Sequence, residues 1–198
     1  MGGRAVACIN ARDRNVLGFR RDLLTAAAYG VEEFLFVYGD RPETGTRSDD
    51  LTVRTMVREA RSFADEQGIA PYRVGMSCGL GAVPAWKREA DALYTQVSYS
   101  AAALEAWRPT VDVDAKVYAG VMVLASASMA RKLSHDVPQL AVPADVVDAL
   151  DRDRRAGIDL ACELVLAIRD SGAFDGVHLI PVGRYRETAA ELEALLAR

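Results

Sequence analysis

The stretch Phe34–Asp40, with the sequence FLFVYGD, decides how the rest of the chain is interpreted. Four apolar or aromatic residues run without interruption into a tyrosine, a glycine and an acid. Such a continuous run is typical of a strand that is buried on both faces, as in a parallel sheet. Gly39 allows the backbone to turn sharply or to approach a ligand closely. Asp40 is then expected just beyond the carboxyl end of the strand, where α/β enzymes carry their working side chains.

The segments on either side of this stretch alternate between strand and helix patterns. Residues 5–10 predict a strand, and the apolar positions of residues 16–29 have helical spacing, with Gly30 ending that helix. Ser48 is the predicted N-cap of the next helix, which ends at Gly68. Residues 83–90 predict a short helix, and residues 72–78, 92–97, 116–124 and 177–182 predict four more strands. Six strand–helix units without a linker predict one α/β domain, residues 1–198, with a parallel sheet.

Composition and charge exclude several classes of function. The chain has 198 residues, 51% hydrophobic content and a formal net charge of −4, so it suits a globular domain and gives no electrostatic basis for nucleic-acid binding. Its apolar runs are too short to span a bilayer, and its start lacks the apolar core of a secretory signal. Cys8, Cys78 and Cys162 are far apart, which predicts buried free thiols in a reducing cytoplasm. With only His135 and His178, no metal site is expected.

Polar residues follow several predicted strands, and parallel winding brings the carboxyl ends of such strands to one rim. Asp40, Gln96 and Arg184 are the candidate constellation at that rim. The residues alone leave simpler roles open: Asp40 could begin a loop, Gln96 could cap a strand end, and Arg184 could be a solvated side chain at a helix start. His178, in the middle of a strand, is expected to be a core histidine.

Three stretches, in matching order and spacing, resemble the methylenetetrahydrofolate reductase family. The first runs from Cys8 to Pro42 and includes RDRN at 12–15 and YGDRP at 38–42. The second is ADALYTQ at 90–96, and the third runs from Gly157 to Arg184. That family is a (β/α)₈ barrel that reduces 5,10-methylenetetrahydrofolate to 5-methyltetrahydrofolate. The resemblance therefore implies a flavoprotein-like oxidoreductase of one-carbon metabolism that uses FAD and NAD(P)H.

The resemblance also implies roles for individual residues. It makes Asp40 the acid beside flavin and folate, where a carboxylate can stabilise the cationic iminium form of the substrate. It implies substrate binding by Gln96, whose amide can donate and accept, and by Arg184, a natural anchor for a carboxylate or pterin. The residues implied in cofactor binding are Tyr38, Gly39, Asp40 and Asp50.

Several positions around the implied flavin depart from the family pattern. Residues 78–83, CGLGAV, stand where the family has a His-Pro-Glu-like segment. The family's lysine on the next helix falls near Ala85, two residues before Lys87, and Tyr38 replaces an arginine or threonine. Because these departures weaken the expected flavin contacts, direct hydride transfer from NAD(P)H to the folate is the second route that we consider.

The resemblance begins at the family's third β/α unit. A complete (β/α)₈ barrel has about 250 residues, so the chain is predicted to be an incomplete TIM barrel of about six units that lacks the first two. An open sheet exposes two edges and an apolar wall. We therefore expect a homo-oligomer, or a partner chain that supplies the missing units; a truncated gene product is the third explanation.

Two other functions are compatible with the same residues. A non-catalytic folate-binding or regulatory subunit could retain Gln96 and Arg184, lack the family's first-strand acid, and complete its barrel with a partner chain. A folate-dependent methyltransferase would share the barrel and the ligand. It would also require a corrinoid or a thiol–metal site, for which the sequence offers no Cys/His cluster.

Overall fold

The computed structural model describes residues 3–12, 14–40, 44 and 50–197. Within these ranges strands alternate with helices. The strands are β1 Val6–Asn10, β2 Glu33–Val37, β3 Arg73–Cys78, β4 Ala92–Val97, β5 Lys116–Met122 and β6 Gly176–Ile180. The α-helices are α1 Val16–Ala28, α2 Val53–Gln67, α3 Ala101–Trp107, α4 Ala127–Asp136, α5 Ala144–Arg152, α6 Ala156–Ser171 and α7 Tyr185–Leu196. Short 3₁₀ turns cover Ala85–Glu89, Arg108–Thr110 and Pro138–Leu140.

The chain divides into two compact units. The first unit lies within Met1–Tyr94 and Val113–Lys116, and the second within Thr95–Asp112 and Val117–Arg198, so β4 contributes its first half to one and its second half to the other. Strand order follows chain order, β1-β2-β3-β4 in the first unit and β4-β5-β6 in the second. The pairs β1–β2, β2–β3 and β5–β6 are parallel. The predicted α/β class, with parallel strands alternating with helices, is confirmed.

Strand β2 is buried on one face only. Phe34 and Phe36 are 1% and 0% exposed, whereas Leu35 and Val37 on the other face are only partly buried. The buried face packs against α1, where the rings of Phe19 and Phe36 meet edge to face with centroids 5.3 Å apart. The prediction of a strand buried on both faces is wrong, because the packing of α1 covers the Phe34–Phe36 face and leaves the alternate residues partly open.

The exposed thiol of Cys8 follows from the same alternation. In the parallel pairing of β1 with β2, Cys8 is opposite Leu35 and shares its partly open face. The three cysteines are free, and Cys78 and Cys162 are buried as predicted. For Cys8 the prediction of a buried thiol is wrong, since the residue lies on the less covered face of β1.

Helix α2 begins later than the sequence pattern predicts. Its N-cap is Thr52, whose hydroxyl accepts a hydrogen bond from the Thr55 backbone N–H at 3.1 Å, while the Thr55 hydroxyl accepts from the Thr52 N–H at 2.8 Å. This reciprocal capping box satisfies two otherwise unpaired donors. The prediction of Ser48 as N-cap is therefore wrong, and Ser48 itself lies outside the described residues. The helix ends at Gly68, as predicted, with φ +63°.

Glycines allow close packing between elements of the second unit. A Cβ on Gly120 of β5 would lie 2.5 Å from the carbonyl oxygen of Thr95 on β4. A Cβ on Gly157, in the first turn of α6, would lie 1.9 Å from the carbonyl oxygen of Leu124. Side chains larger than hydrogen cannot be accommodated there without movement of backbone, so these two glycines set the spacing between neighbouring elements.

Two further findings concern helices. The segment 83–90, predicted as a short helix, contains the 3₁₀ helix Ala85–Glu89, which follows Pro84. Among the described helices, none combines the length and the apolar composition that crossing a bilayer requires.

Candidate functional site

The segment that contains Asp40 is fixed against the residues that follow β1. The Ala11 N–H donates to the Val37 carbonyl oxygen at 2.9 Å, and Arg12 Nη1 donates to the Asp40 carbonyl oxygen at 2.9 Å. Gly39 has φ +85°, and a Cβ there would lie 3.0 Å from the Cβ of Arg12. Both the left-handed backbone and the close approach require glycine at this position.

Asp40 lies where the sequence predicts, three residues beyond the carboxyl end of β2. The residue is exposed, while its main chain is held in place by Arg12. Tyr38, two residues earlier, is 52% exposed. The arrangement therefore presents an acidic and an aromatic side chain from a backbone that is anchored at a strand end.

A cavity of about 360 Å³ lies in the first unit, near the carboxyl ends of β2 and β3. Tyr38 and Trp86 contribute aromatic rings to its wall, and Arg54 and Lys87 contribute positive charge. Ser77 and Thr52 supply polar groups, and among the residues that the structure describes no carboxylate lines the cavity. The volume is at the lower end of the range for small-molecule pockets, and the lining suits a planar, negatively charged ligand.

Lys87 is partly buried in the wall of this cavity. Its ammonium donates a hydrogen bond to the Ser77 carbonyl oxygen at the end of β3, and Nζ lies 5.5 Å from the centroid of the Trp86 ring. Burial lowers the pKa of Lys87 below its ordinary value, with Cys78 acting in the opposite direction. Burial likewise raises the pKa of the Cys78 thiol, and Lys87 opposes that shift. Each shift raises the share of the side chain that is neutral at a given pH.

The predicted cofactor-binding residues are only partly brought together. Tyr38 lines the cavity, and Gly39 and Asp40 follow it directly. Asp50 is exposed and lies two residues before Thr52, but it is not part of the lining. Sequence reasoning missed Arg54 and Trp86 and placed Lys87 only as an imperfect match. A signal for them exists in the sequence. Arg54 lies in the segment that follows β2, and Trp86 and Lys87 lie in the segment that follows β3.

Gln96 lies in the second unit and is the last residue but one of β4. It is exposed, whereas its neighbours Thr95 and Val97 are buried. Its Oε1 accepts a hydrogen bond from the Val97 N–H at 3.2 Å. The hydroxyl of Thr95 accepts from the Gly120 N–H at 2.8 Å, which fixes β4 against β5 beneath the amide. The amide of Gln96 is thus held at a strand end and faces outward.

Arg184 follows β6 after a tight left-handed turn. Val182 has φ +42° and Gly183 has φ +81°. A positive φ is strained for a β-branched residue such as Val182, and strain of this kind is concentrated at functional sites. The Arg184 N–H donates to the Pro181 carbonyl oxygen at 2.8 Å. The turn fixes where the arginine leaves the backbone, immediately before α7.

The guanidinium of Arg184 is partly buried and already has an acidic neighbour. Its Nε lies 3.3 Å from Oε1 of Glu187, one helical turn later, and the side chain is 26% exposed. The distance defines an ion pair, but the geometry does not satisfy a hydrogen bond, so Nε is a buried donor without a hydrogen-bond acceptor.

The strand ends carry the three predicted site residues, each at the carboxyl end of its own strand. Gln96 and Arg184 belong to the second unit and are separated by β5 in its strand order. Asp40 belongs to the first unit. Its placement on one rim with the other two stays a prediction.

His178 belongs to no group of three possible metal ligands among the described residues. Within residues 3–12, 14–40, 44 and 50–197, no three His, Cys, Asp or Glu side chains come together in a way that could hold a metal ion. His178 is partly buried on β6, opposite Gly120 of β5, and burial lowers its pKa. It therefore favours the neutral imidazole.

No family model matches the chain, and no curated protein matches it at a significant level. The assignment of function consequently rests on the residues and their geometry.

Proposed function

We propose that the chain is a methylenetetrahydrofolate reductase-like oxidoreductase, which reduces 5,10-methylenetetrahydrofolate to 5-methyltetrahydrofolate with NAD(P)H, through FAD or directly. The observation that carries the proposal is the anchored Tyr38-Gly39-Asp40 segment. It carries an exposed acid two residues after an aromatic residue that lines a cationic cavity. The segment belongs to the first of the three stretches that together carry the resemblance to the reductase family, although Tyr38 itself departs from the family pattern.

Asp40 has the chemistry that the reduction requires of the protein. The reacting methylene carbon becomes electrophilic when the substrate opens to its cationic iminium form, and a fixed carboxylate nearby stabilises that cation. The stabilisation grows when water is excluded, because Coulomb interactions strengthen as the effective dielectric constant falls. The hydrogen bond from Arg12 to the Asp40 carbonyl oxygen holds the backbone and leaves the carboxylate to act on the substrate.

Gln96 and Arg184 have the functional groups for binding the folate. The Gln96 amide can both donate to and accept from the edge of a pterin, which presents the same alternation of groups. The Arg184 guanidinium can bind a carboxylate or a pterin carbonyl through its fork of N–H groups. Because Glu187 neutralises part of its charge, Arg184 is suited to orient the ligand rather than to attract it from a distance.

The residues of the cavity fit a planar, anionic cofactor. Tyr38 and Trp86 can stack against a ring, and Arg54 and Lys87 can neutralise phosphate groups. NAD(P)H supplies the hydride for the reduction when it is bound. The purified protein tests whether FAD also takes part: a protein that is colourless in the flavin bands and active excludes the flavin route.

The decisive test follows NAD(P)H oxidation with 5,10-methylenetetrahydrofolate, with and without added FAD, in the wild-type protein and in Asp40→Asn. We expect the substitution to lower turnover by about a hundredfold, since it removes the charge that stabilises the cation, while binding of 5-methyltetrahydrofolate is largely retained. Asp65→Asn, the same change at an exposed position on α2, is the matched control and should behave as wild type.

Two outcomes would contradict this account. Unchanged turnover in Asp40→Asn would remove that residue from the mechanism. Binding of 5-methyltetrahydrofolate by the wild-type protein without any turnover, in the presence of both cofactors, would instead favour a non-catalytic folate-binding subunit.

A further inference from the structure

The chain has only three lysines, Lys87, Lys116 and Lys132. Lys116 and Lys132 are exposed, and Lys132 pairs with Asp136, with Nζ 2.6 Å from the carboxylate oxygen. Lys87 lines the cavity of the first unit. This small set makes any chemistry at a lysine amine directly assignable to a position.

The surroundings of Lys87 favour a reactive amine. Burial lowers its pKa, whereas Asp136 raises the pKa of Lys132. A larger share of Lys87 is therefore neutral at a given pH, and the neutral amine is the nucleophile. Its hydrogen bond to the Ser77 carbonyl oxygen uses one N–H and positions the nitrogen, whose lone pair is not used by that bond.

The rest of the cavity wall defines what could react with this amine. Tyr38 and Trp86 provide aromatic surface for a flat ring. Arg54 provides a permanent positive charge that persists when Lys87 is neutral or has reacted. Since no carboxylate lines the cavity among residues 3–12, 14–40, 44 and 50–197, the charge of Arg54 makes a negatively charged ligand electrostatically favourable.

We propose that Lys87 captures a carbonyl group, and that the cavity takes a planar, anionic aldehyde of the pyridoxal-phosphate class as an imine. The neutral amine nitrogen attacks the aldehyde carbon to form a carbinolamine, and loss of water gives the C=N bond. The step releases one water molecule and involves no change of redox state. The aromatic rings hold the ligand ring, and Arg54 pairs with the anionic group.

This inference does not depend on folate reduction, because its test detects a covalent adduct on a lysine and requires no turnover of folate. The test incubates the whole protein with pyridoxal 5′-phosphate, reduces the imine with borohydride and maps the modified peptides by mass spectrometry. We expect the adduct on Lys87, an imine absorption band before reduction, and loss of both in Lys87→Arg. Lys132→Arg is the matched control and should retain the adduct.

A second comparison tests recognition of the anionic group. Pyridoxal, which lacks the phosphate, should modify Lys87 less readily, and Arg54→Gln should remove the advantage of the phosphorylated aldehyde. Modification that spreads evenly over the three lysines, or that occurs at Lys116 or Lys132 in preference to Lys87, would overturn the proposal. Equal labelling of Lys87 by pyridoxal and its phosphate would overturn the assignment of an anionic ligand. Mapping on the wild-type protein gives these answers even if a variant fails to fold.

Discussion

The two histidines of the chain are in contrasting environments, and this difference gives a prediction for single residues. His178 is partly buried on β6, and His135 is exposed beside Asp136. Because burial lowers the pKa of His178, the folded protein resists protonation there, while the unfolded chain takes up the proton near pH 6.5. The contribution of neutral His178 to stability is therefore complete above about pH 6.5 and is lost as the pH falls below that value.

Urea unfolding at pH 7.5 and at pH 5.5 checks this expectation. The wild-type protein should lose more stability between the two pH values than His178→Gln does, because the variant lacks the suppressed titration. Gln139→Ala, at an exposed position without a titratable group, is the control and should follow the wild type. An equal loss in His178→Gln and the wild-type protein would show that His178 does not contribute to the pH dependence.

At the level of elements, the packing of α6 on the end of β5 depends on Gly157. A Cβ at this position would lie 1.9 Å from the Leu124 carbonyl oxygen, a main-chain atom two residues beyond the end of β5. We expect Gly157→Ala to reduce the free energy of unfolding by about 1–3 kcal/mol, as other overpacking changes do. Gly79→Ala, where a Cβ meets nothing within 4 Å, is the control and should have little effect. Equal unfolding midpoints in urea for the two variants would contradict the packing described.

Much of the element order could be predicted from local patterns. The strand 92–97 matches β4 in both bounds, and Gly30 and Gly68 end their helices as the sequence indicates. These features depend on apolar periodicity and on the positive φ that glycine permits, and both are properties of a short segment.

The errors concern features that a short segment does not determine. Ser48 and Thr52 are both capping residue types, and the reciprocal bonds with Thr55 select Thr52. The partly open face of β2 depends on which helices pack against it. The wall of the cavity joins Tyr38, Arg54 and Trp86, which are brought together by tertiary structure and not by spacing in the sequence.

At the level of the whole molecule, edge strands govern the expected behaviour in solution. Strand β1 is first in the order of the first unit and β6 is last in that of the second, so each has one neighbouring strand among those described. Such strands present unpaired N–H and C=O groups, and Val6 on β1 is 42% exposed. We therefore expect the recombinant chain to self-associate, as light scattering would measure. A monomer that binds no dye for exposed apolar surface would contradict self-association. It would also contradict the expectation that a partner chain covers an open edge of the sheet.

Binding of 5-methyltetrahydrofolate, measured by calorimetry, tests most directly whether this protein acts on folate. We compare the wild-type protein with Gln96→Leu and with Gln139→Leu, an identical change at an exposed glutamine of the second unit. The account predicts saturable binding to the wild type, affinity weakened by about tenfold in Gln96→Leu through lost hydrogen bonds, and unchanged affinity in Gln139→Leu. Absence of binding to the wild-type protein, or equal affinity in all three proteins, would contradict it.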